Sequence, residues 1–134
     1  MKAALTEDVG PVDATSEAVI PPGHTGSVVM VARESMVLAG VALAVLAFRE
    51  IDPKLTVNCH STDGMRIEAG GRIMSASGMT KSILTAERVA LNFVQRLSGV
   101  ATATARFVDA IRNTDTKILD TRKTTPGWRQ LEKY

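Results

Sequence analysis

Lys117-Ile118-Leu119-Asp120-Thr121-Arg122-Lys123-Thr124-Thr125-Pro126-Gly127-Trp128-Arg129 is the stretch that decides what kind of chain this is. Ile118-Leu119 is a short apolar run and reads as a buried strand. Strand character stops at Asp120-Thr121. Two adjacent cations follow, Arg122 and Lys123, then two threonines and a Pro-Gly turn signal. Adjacent cations at the end of a buried strand are costly unless something anionic meets them. In parallel α/β sheets and barrels, strand ends are where ligands bind. The stretch therefore suggests an anion pocket. Arg122 offers a planar fork for a carboxylate, Lys123 a compact point charge, and Thr121, Thr124 and Thr125 hydroxyl donors. An ordinary solvated basic loop contains the same residues, and spacing alone leaves both open.

The rest of the composition frames that corner. Of 134 residues, 45% are apolar but only 4% are aromatic. One modest domain with an aliphatic core follows. Net charge is +2, yet residues 117–134 carry five Lys/Arg against two Asp/Glu, and the remainder eleven against twelve. Basicity confined to the tail argues against a nucleic-acid binder, which spreads cations along a face or groove. The lone Cys59 has no internal disulfide partner, suits a reducing cytosol, and is expected to pack as a small buried hydrophobe. The first residues turn acidic at Glu7-Asp8, too soon for a signal peptide. The longest apolar run, Met36 to Phe48, is too short to cross a bilayer.

Upstream of the tail, residues 5–17 read as a polar, turn-rich segment with carboxylates at Glu7, Asp8, Asp13 and Glu17, used for capping and turns. His24, after Pro21-Pro22-Gly23, reads as a solvated loop residue, and His60 is similarly isolated. Residues 26–33 form a strand with almost no alternation, hence covered on both faces. An Ala-rich helix is expected over about 40–50, stopped by Pro53. Strands follow at 55–59, 65–69 and 72–78, with Gly70-Gly71 as a hairpin turn between the last two. No phosphate-loop pattern surrounds that glycine pair.

From Thr80, a plausible N-cap, to about Asn113 the chain reads as helix with a break at Ser98-Gly99. Ile83, Ala86, Ala90, Val94 and Leu97 share one face. Leu84, Arg88, Leu91 and Gln95 form a second stripe, so Arg88 lies within a partly apolar flank. An Arg there either snorkels to water or projects across a subunit contact toward an anion. A further stripe, Val100, Ala103, Thr104, Phe107, Val108 and Ile111, leads to the tail strand. That strand has no obvious partner in the chain and suggests the start of a βα unit.

Asp120 to Gly127, Asp-Thr-Arg-Lys-Thr-Thr-Pro-Gly, resembles the signature of the quinolinate phosphoribosyltransferases, and so does Ala86 to Thr102, Ala-Glu-Arg-Val-Ala-Leu-Asn-Phe-Val-Gln-Arg-Leu-Ser-Gly-Val-Ala-Thr. The resemblance extends from Glu7-Asp8 to Tyr134. It departs at Val12, which follows Pro11 where the family usually has Gly before Asp13, and a counterpart of the family's first N-terminal helix segment is not expected in this stretch. The implied fold is α/β. Residues 1–100 would form an N-terminal α/β sandwich with the first linking helix. Residues 101–134 would form a linking helix and the first strand of a truncated C-terminal α/β barrel.

The resemblance also implies chemistry. Quinolinate and phosphoribosyl pyrophosphate would give nicotinate mononucleotide, pyrophosphate and CO2 in NAD synthesis. Arg122 would grip a quinolinate carboxylate, Lys123 add a charge, Thr121 donate a hydrogen bond, and Arg88 arrive from the other subunit of a homodimer or larger homo-oligomer. Mg2+ would bridge pyrophosphate oxygens with protein ligands outside this chain. No residue suggests a general base, and no catalytic residue is assigned. Isolated, the chain is expected to be inactive. Two other readings stand beside this one: a non-catalytic dimerisation module, and a paralogue acting on another pyridine carboxylate.

Overall fold

The computed structural model describes residues 1–10 and 14–134. Two short helices come first, α1 (Lys2–Val9) and α2 (Ala14–Val19). The segment expected to be turns is thus largely helical. α1 is barely amphipathic, and it is seated by Leu5, which joins the core. Packing, not local propensity, decides it. The expected change of turn at Pro11-Val12 lies outside the described residues.

Five strands and two larger helices follow: β1 (Thr25–Val31), β2 (Met36–Val37), α3 (Val41–Ile51), β3 (Thr56–Cys59), β4 (Arg66–Ile67), β5 (Arg72–Met79) and α4 (Thr80–Ala110). β5 is central in an antiparallel sheet of order β1-β5-β3, with Val28 opposite Ala76 and Ala76 opposite Val57. β2 and β4 pair separately. Gly70-Gly71 therefore does not close a hairpin. It carries the chain from β4 in one sheet to β5 in the other, and Ala32 clasps it from the end of β1 through Gly70 N and Gly71 O at 2.8 and 2.9 Å. A Cβ on Gly71 would lie 2.5 Å from Ile67 Cγ2, so the turn has room only for glycine.

β1 is not covered on both faces. Its residues alternate between half-buried and exposed, with Val29 and Val31 at 45% and 46% exposure. Cys59 is exposed as well, because it ends an edge strand. Met79, not Thr80, occupies the cap position of α4. Thr80 Oγ1 instead faces His24 Nδ1 at 2.8 Å, and His60 Nε2 lies 3.0 Å from Ser75 Oγ. Both histidines are surface residues with hydroxyl partners.

The core is aliphatic apart from Phe48 and Phe93. Ala44, Ala47 and Phe48 of α3 meet Ile83, Ala86, Ala90 and Val94 of α4 over Ile73, Met74 and Ala76 of β5. α4 does not break at Ser98-Gly99. It runs 31 residues without interruption. Ser98, fully buried, accepts a hydrogen bond from Ala39 N at 3.0 Å and donates to Ala39 O at 3.2 Å. Gly40, at φ 96°, brings this loop so close that a Cβ would lie 3.1 Å from Leu97 and 3.2 Å from the Phe93 carbonyl. A single Gly costs a helix only about 1 kcal/mol, and packing of this density outweighs it.

Candidate functional site

The tail departs from expectation. Residues 117–121 form no strand, Ile118 is 43% exposed and Leu119 82% exposed. Among the described residues no strand pairs with them, and an extended segment with no pairing partner makes no ladder. After Pro126-Gly127 the chain forms a one-turn helix, α5 (Arg129–Glu132), which the sequence reading missed. The ring of Trp128 stacks on Phe93 of α4, centroids 5.3 Å apart and planes at 28°.

The tail and the second half of α4 border an open cleft of about 740 Å³. Thr121 and Lys123 line it, together with Arg66 of β4, Lys133, and the apolar face of Leu97, Ala101, Thr104 and Val108. Arg66 and Lys133 were not anticipated, because separation in sequence hides them. Most cations here have internal partners. Arg66 Nη2 donates to both Asp109 oxygens at 2.9 and 2.7 Å, and Lys133 pairs with Asp120 at 2.7 Å. The Arg66 guanidinium, followed by that of Arg112, holds the Asp109 carboxyl below its ordinary range, against some opposing desolvation. Among the described residues neither Arg122 nor Lys123 has a carboxylate partner.

Arg122 adjoins this cleft but does not line it, and its carbonyl accepts from Arg129 Nη2 at 3.3 Å. Thr121 Oγ1 accepts from Lys123 N at 3.1 Å, so the corner is internally folded. Arg88 is elsewhere. From Arg88 to Leu97 is about two and a half helical turns, roughly 13 Å, which puts them on opposite faces of α4. There Arg88, 46% exposed, donates from Nε to Asp8 Oδ2 of α1 at 2.9 Å. The structure thus brings Thr121 and Lys123 together, leaves Arg122 beside them, and sets Arg88 apart.

Comparison with known proteins bears on this arrangement. Residues 13–98 match the family model described as quinolinate phosphoribosyl transferase, N-terminal domain. The chain belongs to the quinolinate phosphoribosyltransferase family. Residues 100–134 match the C-terminal domain of the same family, and the junction between the two matches lies within continuous α4. The mitochondrial quinolinate phosphoribosyltransferase (decarboxylating) 2b of Nicotiana tabacum is 42% identical over 135 residues, covering 100% of this chain and 38% of that protein. The nicotinate-nucleotide pyrophosphorylase (carboxylating) of Mycobacterium leprae is 41% identical, covering 100% of this chain and 48% of that one. Among solved structures, NadC of Streptococcus pyogenes superposes with a TM-score of 0.93 at 41% identity, covering 99% of this chain and 48% of that one. The chain spans under half the length of these quinolinate phosphoribosyltransferase relatives. No helix among the described residues is long and apolar enough to cross a membrane.

Proposed function

We propose that this chain supplies the diacid-gripping corner of an enzyme that joins quinolinate to phosphoribosyl pyrophosphate in NAD synthesis. The ring nitrogen's lone pair forms the bond to the anomeric carbon, and the bond to pyrophosphate breaks with its electrons on the departing oxygen. The quaternised ring then accepts the electron pair released as the adjacent carboxyl leaves as CO2, and a proton from solvent replaces it. Nicotinate mononucleotide and pyrophosphate are the other products.

The observation that carries this is the pair Arg122-Lys123, without carboxylate partners among the described residues while neighbouring Arg66 and Lys133 have theirs. Counterions supplied by ligand are what an anion site requires. Arg122 grips a carboxylate, Lys123 and Thr121 hold the same anion from the cleft side, and positioning rather than proton transfer is the work of this corner. Arg88 serves the other subunit of a homodimer, which its half-exposed position on the opposite face of α4 supports. Mg2+ would arrive with phosphoribosyl pyrophosphate and offset the charge of its pyrophosphate group. Among the described residues no three His, Cys, Asp or Glu gather as ligands, so this stretch does not fit a metal centre and no step here runs through one. The unpaired thiol of Cys59 supports a reducing compartment such as the cytoplasm.

Calorimetric titration with quinolinate and with nicotinate tests this. Quinolinate is expected to bind more tightly by about 1.5–3 kcal/mol, the worth of one charge-assisted contact, and Arg122→Ala to erase the difference. Equal affinity for the two acids would favour a paralogue with another substrate, and binding of neither would favour a non-catalytic module.

A further inference from the structure

Glu132 is the most tightly held carboxylate in the tail. Its side chain is only 9% exposed. Oε2 accepts from Thr125 N at 3.0 Å, and Oε1 accepts from Thr125 Oγ1 at 2.7 Å and from Arg96 Nη2 at 2.6 Å. Arg96 Nη2 also donates to Thr125 Oγ1 at 3.0 Å, which closes a triangle between α4, the loop and α5. Neighbours of Glu132 reach the same loop. Arg129 donates to Thr124 Oγ1 and to the Arg122 carbonyl, and Lys133 holds Asp120. Trp128 anchors the group on Phe93.

We infer that Glu132 is a positioning residue for the diacid site: clamped by Arg96 and Thr125, it fixes the Thr121–Lys123 corner against α4. This rests on the proposed function. Two physical points favour it over a purely structural brace. Leu131 packs on the core, but the polar contacts of Arg129, Glu132 and Lys133 fall on residues 120–125 and on Arg96, so their effect is to set where the corner cations stand. A carboxylate lining an anion cleft would also repel the ligand, and Arg96 cancels that charge while leaving Lys123 unopposed. A site is precise only when its supporting contacts are fixed.

Trp128 is the sole tryptophan, so its emission reports the seating of this segment alone. Glu132→Gln keeps the shape and removes the charge. Its emission is expected to move to the red with greater acrylamide quenching, while far-ultraviolet dichroism is retained. Quinolinate affinity is expected to fall about tenfold or more, the scale for losing a contact behind a ligand-binding group. Thr125→Val is expected to act in the same direction with smaller size, and it decides the matter if Glu132→Gln does not fold. Unchanged emission in the folded variants would overturn the clamp. Altered emission with unchanged quinolinate affinity would overturn the positioning role. If the unaltered protein binds no quinolinate, the proposed function fails and the positioning role with it, while the emission data still report whether Glu132 holds the segment.

Discussion

Ser98 shows how one hydroxyl can hold two elements together. Buried at 2% exposure, it serves both backbone groups of Ala39. Ser98→Ala leaves an N–H and a C=O without partners and is expected to cost about 1–3 kcal/mol. Urea unfolding should show a lower midpoint at unchanged slope, and an unchanged midpoint would contradict the assignment. Glu132 makes a prediction in pH. Its pKa is held at about 2, from an ordinary 4.5, first by the Thr125 hydroxyl, then by the Arg96 guanidinium and the Thr125 amide. A depressed carboxyl pKa means that the fold favours the ionised form. The stabilisation is therefore complete above about 4.5 and is lost as pH falls toward about 2. Trp128 emission should redden within that window, and Glu132→Gln should abolish this acid step. An acid step of equal size in both proteins would assign it to another group.

Among elements, α4 is the most instructive. Its buried face was legible, since Ile83, Ala86, Ala90, Val94 and Leu97 all lie inside. Its continuity was not, because Ser98-Gly99 carries a stop signal that only the contact with residues 39–40 overrides. Gly99 itself is helical, and a Cβ there would meet nothing within 4 Å. Gly99→Ala is therefore expected to stabilise by about 0.5–1 kcal/mol, read as a raised thermal midpoint, and destabilisation would mean that the helix needs the break. The same limit explains other differences. Val28 to Val31 are apolar on both faces of β1, and sequence does not say which face finds a cover. β4 and β5 flank a glycine pair as hairpin strands do, yet each pairs elsewhere. The basic corner at 121–123 was legible because its residues are contiguous. Arg66 and Arg96 come beside it from far upstream, Glu132 folds back onto Thr125 from α5, and no local pattern joins them to it.

For the whole molecule, Arg88 and Lys123 lie on different sides of α4, so one chain does not place both at one ligand. If the site is shared in a homodimer, each site takes Arg88 from one subunit and Arg122 from the other. Neither Arg88→Ala nor Arg122→Ala homodimers then hold an intact site. Reassociating the two variants in equal amounts makes half the dimers mixed, and each mixed dimer has one site with both arginines and one with neither. Tight quinolinate sites are expected to reappear at about a quarter of the unaltered number by calorimetry. A site built within one subunit gives no recovery on mixing, because every site then carries one of the two substitutions. The outcome therefore separates a shared mouth from a self-contained one, whatever the absolute affinity. The half-exposed guanidinium held by Asp8, about 13 Å along the helix from the corner cleft, favours recovery.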